Sequence, residues 1–142
     1  MTPFDKFLLI VHYFGIAMGF ATTISGIVMS VLMGRAEPAD KAVLSRFMPM
    51  MSRVGTFGLL LIWASGMGLV FTVWQGFKNL PETVNYKFGA VICLTIAVIL
   101  INVFMGRAER GDAAAAAKIQ IISKFSALFA VLSLIMAVVV FK

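Results

Sequence analysis

Four stretches of this chain contain no Asp, Glu, Lys or Arg: Phe7–Met33, Val54–Phe77, Phe88–Met105 and Phe125–Phe141. Apolar positions run through them continuously, without the period-two alternation of a barrel strand. A hydrocarbon core of roughly 30 Å is crossed by about 20 helical residues. The first two stretches exceed that, and the last two reach it with their polar flanks. Lipid offers no partner for a backbone N–H or C=O, so segments of this kind are helices. The pattern predicts an all-α membrane protein, four transmembrane helices forming a single domain over residues 1–142.

The polar punctuation between these stretches is itself repeated. Met-Gly-Arg-Ala-Glu stands at Met33–Glu37 and again at Met105–Glu109. Each copy is followed by an Asp (Asp40, Asp112), a short amphipathic segment, Ser52-Arg53 or Ser123-Lys124, and the next apolar run. The chain therefore reads as one two-helix hairpin duplicated in tandem, with repeat 1 at about 7–77 and repeat 2 at about 86–141. Two spans return the chain to its starting side, so both hairpins point the same way, related by a pseudo-twofold along the membrane normal.

Local signals refine this outline. Asp40 is placed to cap a short amphipathic helix carrying Ala42, Val43, Phe47 and Met50, which Pro49 should kink or break. Asp112 is an N-cap for Ala113–Ala117, opening a helix that should continue to Phe141. Gly15, Gly19, Gly26, Gly66 and Gly89 are the small positions expected at helix contacts. Trp74 suits an interfacial anchor, and Trp63, deeper, packing or lipid contact. The single cysteine, Cys93, permits no internal disulfide and reads as a small buried hydrophobe.

Composition agrees with a membrane protein: 61% hydrophobic and only 13% charged. The net charge of +6 would suit a polyanion, but its distribution argues against nucleic acid. Arg35, Lys41, Arg46 and Arg53 lie between the first two spans, and Arg107, Arg110, Lys118 and Lys124 between the last two. Lys6, Lys78, Lys87 and Lys142 are on the other side. This positive-inside bias places both connecting turns in the cytoplasm and both termini outside (N-out/C-out), as in a bacterial inner membrane. The first apolar run is too long for the core of a cleaved signal peptide and reads as a retained span.

Candidate chemistry is sparse. His12, the only histidine, lies about five residues inside the first span, where an ionisable group is costly. A neutral imidazole there could bind haem iron or copper, relay a proton, or hydrogen-bond a neighbouring helix. Counted from the same boundary, Met136 lies at a similar depth on the last span, which allows a His/Met ligand pair; a symmetric dimer could instead supply two copies of His12. Lys87 opens the third span and could snorkel to lipid phosphate or meet a carboxylate inside the bundle. Met48, Met50 and Met51 form a thioether cluster of a type that suits Cu(I), though on the cytoplasmic side, and methionine is a general gap filler. Arg35 and Arg107, with Glu37 and Glu109, recur at matched places and read as lipid anchors and local caps. No acidic residue lies within a span, which counts against a proton-coupled transporter.

Leu8-Leu9-Ile10-Val11-His12 with the small residues to Gly19, Ile62-Trp63-Ala64-Ser65-Gly66, Tyr86-Lys87 and Met105-Gly106-Arg107 together resemble the HemJ-type protoporphyrinogen oxidases and the related copper-resistance protein D membrane module. The resemblance implies a four-span fold, a haem linked to His12 and the family's span-three lysine at Lys87. The family's Asn-Glu-x-Pro-like opening of the last span is replaced here by Ser123-Lys124-Phe125-Ser126, and Asn102 stands near where a second histidine would be.

Two functions follow as expectations. One is a haem-associated redox module, with haem b held by His12 as axial ligand, Lys87 at a propionate and Met136 as a possible second ligand. The other is a cofactor-free accessory or scaffold subunit. Its partners would be the lipid bilayer and further subunits of a homo-oligomer or larger membrane complex.

Overall fold

The structure, a computed structural model, describes residues 1–140. It has four α-helices: α1 (Pro3–Arg35), α2 (Pro38–Thr72), α3 (Glu82–Glu109) and α4 (Ala113–Val140). All four contain a segment long and apolar enough to cross a membrane. The architecture is that of a multi-pass membrane protein. The tightest packing is of α1 on α2 and of α3 on α4, in two tandem hairpins.

The two hairpin turns solve the same problem differently. In the first, only Ala36 and Glu37 separate the helices, and Pro38 takes the first position of α2, where a missing N–H costs nothing. In the second, Gly111 adopts φ +96°, a conformation that burdens any side chain. It lets the N–H groups of Gly111 and Asp112 bond back to the carbonyls of Ala108 and Arg107. The Asp112 carboxylate then accepts from the N–H groups of Ala114 and Ala115, at 3.1 and 3.3 Å. Asp112 is thus the cap expected from the sequence.

Asp40 is not a cap. It lies in the first turn of α2, whose N-cap is Glu37. Nor does Pro49 divide the segment. Proline removes one bond of the ladder, a loss that neighbouring helices make tolerable in a membrane bundle, and α2 runs 35 residues through it. At about 1.5 Å per residue α2 is about 52 Å long. It is the longest of the four helices and the one that most exceeds the bilayer.

The α1–α2 contact explains the register of the first hairpin. A methyl group on Gly15 would lie 2.8 Å from the Gly58 carbonyl oxygen and 2.9 Å from Ile62 Cγ1. One on Gly58 would lie 2.9 Å from Met18 Cβ and 3.0 Å from the Gly15 oxygen. Here the two backbones touch, as small residues permit between membrane helices. Gly55 packs on Thr22, and Gly68 on Leu8. Of the glycines expected at contacts, Gly15 is buried in this seam and Gly66 faces His12. A methyl on Gly19, Gly26 or Gly89 would meet nothing within 4 Å. The residues that complete the seam, Gly55, Gly58 and Gly68, carry no side chain to announce their face.

The hairpins meet around a small apolar layer of Leu59, Ile62 and Val91, with Ile16, Trp63, Leu94 and Val98 packed against it. Polar links rivet α2 to α3 beside it. Trp63 Nε1 donates to Thr95 Oγ1 at 2.9 Å. Nearer the turns, Ser52 donates to Asn102 Oδ1 at 2.9 Å, and Asn102 Nδ2 donates to Thr56 Oγ1 at 3.1 Å. Cys93 is exposed, contrary to expectation. Because α3 buries Val84, Val91 and Ala97 on another face, an apolar thiol can turn towards lipid at no cost.

Candidate functional site

The seam of glycines sets Gly15 against Ile62 and Gly19 against Gly58. Followed one turn towards the termini, the same register sets His12 against Ser65. Both are buried, at 6% and 1% exposure. His12 Nδ1 lies 3.0 Å from Ser65 Oγ. On its other side Nε2 lies 3.2 Å from Lys87 Nζ, contributed by α3. The site therefore joins α1, α2 and α3, and it brings together the two residues that the sequence singled out separately.

The chemistry of the three groups orders their protons. An ammonium has no lone pair, so Lys87 donates and Nε2 accepts. The Nδ1 proton is then given to Ser65 Oγ, and the serine hydroxyl donates in turn to the Leu61 carbonyl at 2.5 Å. One Lys87 N–H, the His12 ring N–H and the Ser65 hydroxyl each meet an acceptor along the line to Leu61. The imidazole is held by its far nitrogen, with the Nε2 lone pair directed at the lysine.

His12 and Lys87 both line a small cavity of about 70 Å³, well below the roughly 300–1,000 Å³ of ordinary small-molecule sites. Its walls are mostly apolar and aromatic, including Leu9, Trp63, Met67, Trp74 and Phe88. Among the described residues Lys87 has no acidic partner. A single cation in an apolar chamber without a counter-ion suits a ligand that is itself anionic at one edge and apolar elsewhere.

Met136 is half-buried on α4 and does not line this cavity; the thioether that does is Met67. With Arg53 and Lys124 aligned in sequence, Met136 stands where Ser65 does in the first hairpin; with the Met-Gly-Arg-Ala-Glu copies aligned, Val84 and Gly15 stand where His12 and Lys87 do.

Trp74 joins the cavity wall, and Trp63 both lines it and clamps Thr95. Ser65 was legible only within the stretch Ile62-Trp63-Ala64-Ser65-Gly66, with no role of its own. Of the methionine cluster, Met48 and Met51 line a second chamber near the turns, whereas Met50 is exposed. Among the described residues no three His, Cys, Asp or Glu side chains gather as a metal site. No protein-family model, curated protein or solved structure matches this chain.

Proposed function

We propose that this protein is a haem-associated redox module of a bacterial inner membrane, its termini outside and its cofactor in the outer half of the bundle. The observation that carries this reading is the buried 3.0 Å contact between His12 Nδ1 and Ser65 Oγ. Metal-binding histidines characteristically donate their other ring N–H to a protein acceptor, which orients the ring. Ser65 performs that service for Nδ1 and leaves Nε2 as the nitrogen with a lone pair on the cavity side.

The donor set matches a b-type haem in kind, and the cavity of about 70 Å³ would have to open to admit the macrocycle. His12 would hold the iron through Nε2. Lys87 would exchange its bond to that nitrogen for one to a propionate, which frees Nε2 and neutralises the amine in one move. Trp63, Trp74 and Phe88 would pack on the macrocycle and exclude water. Met67 stands nearer to such a group than Met136 and replaces it as the candidate thioether. The bound group would supply one-electron exchange, with its potential set by the axial ligands and the apolar wall.

A second reading rests on the same bonds. The line Lys87–His12–Ser65–Leu61 is complete without any ligand, and it ties three helices together. In a cofactor-free accessory subunit it would be a structural clamp, and association with a larger membrane complex would be the protein's role.

A reduced-minus-oxidised visible spectrum of gently extracted protein separates the two. The redox module gives a b-type signal that is lost in His12→Ala and shifted in Ser65→Ala. Spectra without a haem signal from wild-type protein supplied with haem would overturn the redox reading and leave the clamp.

A further inference from the structure

The cavity at His12 holds a charge that nothing else in the bundle balances. Lys87 is half-buried, with its ammonium turned inward to His12. An ammonium offers three N–H donors. One goes to His12 Nε2 at 3.2 Å, and among the described residues the other two meet neither a carboxylate nor any other acceptor. A cation in apolar surroundings is costly unless it is both paired and hydrogen-bonded. The imidazole supplies a hydrogen bond and no charge.

The walls decide what can balance it. No side chain lining this cavity carries an oxygen. Its polar groups are the Lys87 ammonium, the His12 ring and the indole N–H groups of Trp63 and Trp74. Trp63 donates to Thr95, and both His12 nitrogens are engaged. The Trp74 N–H makes no hydrogen bond among the described residues. The groups left over are therefore all donors, within an apolar and aromatic enclosure. A water molecule could accept from Lys87, but its own protons would face rings and aliphatic groups, and an enclosed water needs 2–4 polar partners. An anion needs no acceptor, and its bond to an ammonium is charge-assisted.

Size and charge narrow the class. A water-sized occupant needs about 10–15 Å³, so a cavity of about 70 Å³ admits an occupant of only a few non-hydrogen atoms. One ammonium balances one negative charge. A dianion would carry an uncompensated charge into the same apolar walls. We infer that Lys87 and the walls of this cavity form a seat for a compact monovalent anion of halide size. Lys87 is five residues from the start of α3 at Glu82, about 8 Å along the helix, so the anion enters from the end of the bundle that carries the N-terminus. It acts as counter-ion to the line Lys87–His12–Ser65 and holds Lys87 in its charged, donating form. The inference does not rest on the redox reading. It concerns the protein without haem; in the haem-bound protein a propionate would take the same seat.

The chain has two tryptophans, Trp63 and Trp74, and both line the cavity, so their fluorescence reports on it directly. The test is titration of haem-free protein in a non-ionic detergent with iodide, a heavy anion that quenches indole emission, at an ionic strength held constant with gluconate. Quenching saturates; chloride relieves it, and sulfate at equal ionic strength does not. Lys87→Gln raises the half-saturating iodide concentration roughly thirty-fold or more, the effect of removing one partner from a buried, hydrogen-bonded charge pair. Lys87→Arg, which keeps the charge, restores most of the affinity. Lys78→Gln, which deletes an exposed cation in the connection between α2 and α3, leaves the curve unchanged. Quenching that rises linearly with iodide, or that sulfate relieves as well as chloride does, would overturn the seat, and these wild-type results decide the matter even where Lys87→Gln fails to fold. Equal shifts in Lys78→Gln and Lys87→Gln would reduce the effect to surface charge and overturn it too. The haem spectrum, whichever way it falls, bears on the redox reading alone.

Discussion

The closest backbone approach in the molecule offers the sharpest test of the packing, and Gly15→Ala is the perturbation. The added methyl would sit 2.8 Å from the Gly58 oxygen, 2.9 Å from Ile62 Cγ1 and 3.1 Å from the Ile62 nitrogen. Ordinary contact begins near 3.4 Å. Two of these three atoms are backbone and cannot swing aside, so α1 and α2 must separate by about 0.5 Å, and overpacking of this kind costs about 1–3 kcal/mol. Alanine returns up to about 1 kcal/mol as the better helix former, leaving a net loss of roughly 0–2 kcal/mol, while Gly19→Ala gains the same propensity without the clash. The same displacement, one turn away, stretches the 3.0 Å His12–Ser65 contact to about 3.5 Å, where a hydrogen bond is all but lost. The assay is reversible denaturation in mixed micelles, followed by circular dichroism. Gly19→Ala is the control, since nothing lies within 4 Å of its added methyl. It should match or slightly exceed wild type. Equal stability of the two variants would refute the close approach and the register built on it.

Other outcomes are expected from the same structure. Ser65→Ala strands the buried Nδ1–H of His12 and should destabilise the bundle by about 1–3 kcal/mol, measurable in the same denaturation assay; Ser65→Thr should recover part of it. Asn102→Leu breaks the bridge to Ser52 and Thr56 and should cost about 0.6 kcal/mol, the average for such links between membrane helices. Its signature would be faster cross-linking of cysteines placed across the α2–α3 seam. Gly111→Ala forces a side chain into φ +96° and should cost about 1–2 kcal/mol. Asp112→Ala removes the α4 cap at about 1 kcal/mol. Because both act in one turn, a double variant should fall short of the sum.

Much was legible in the sequence because the bilayer imposes its rules locally. An uncharged run of sufficient length must be a helix wherever it lies, so four helices and their two tandem hairpins followed from spacing alone. His12 and Lys87 stood out for the same reason: a titratable group within or beside an apolar run is conspicuous whatever surrounds it. Asp112 was readable as a cap because its partners, Ala114 and Ala115, are its immediate neighbours.

Tertiary structure decided what depends on the face a residue presents. The five contact glycines (Gly15, Gly55, Gly58, Gly66 and Gly68) and the idle Gly19, Gly26 and Gly89 look alike in a list of letters, because the contact is made by what glycine lacks. Their seam fixed the register, and the register brought Ser65 to His12 and let Lys87 meet Nε2. The packing of the helices put Met67, and not Met136, on the cavity wall. Pro49 does not end α2 because the rule it invokes is local, while the tolerance for a missing ladder bond comes from helices packed around it. The chamber near the turns had no local signal at all: its lining is gathered from four helices, and each contributes residues that in isolation suit any membrane span.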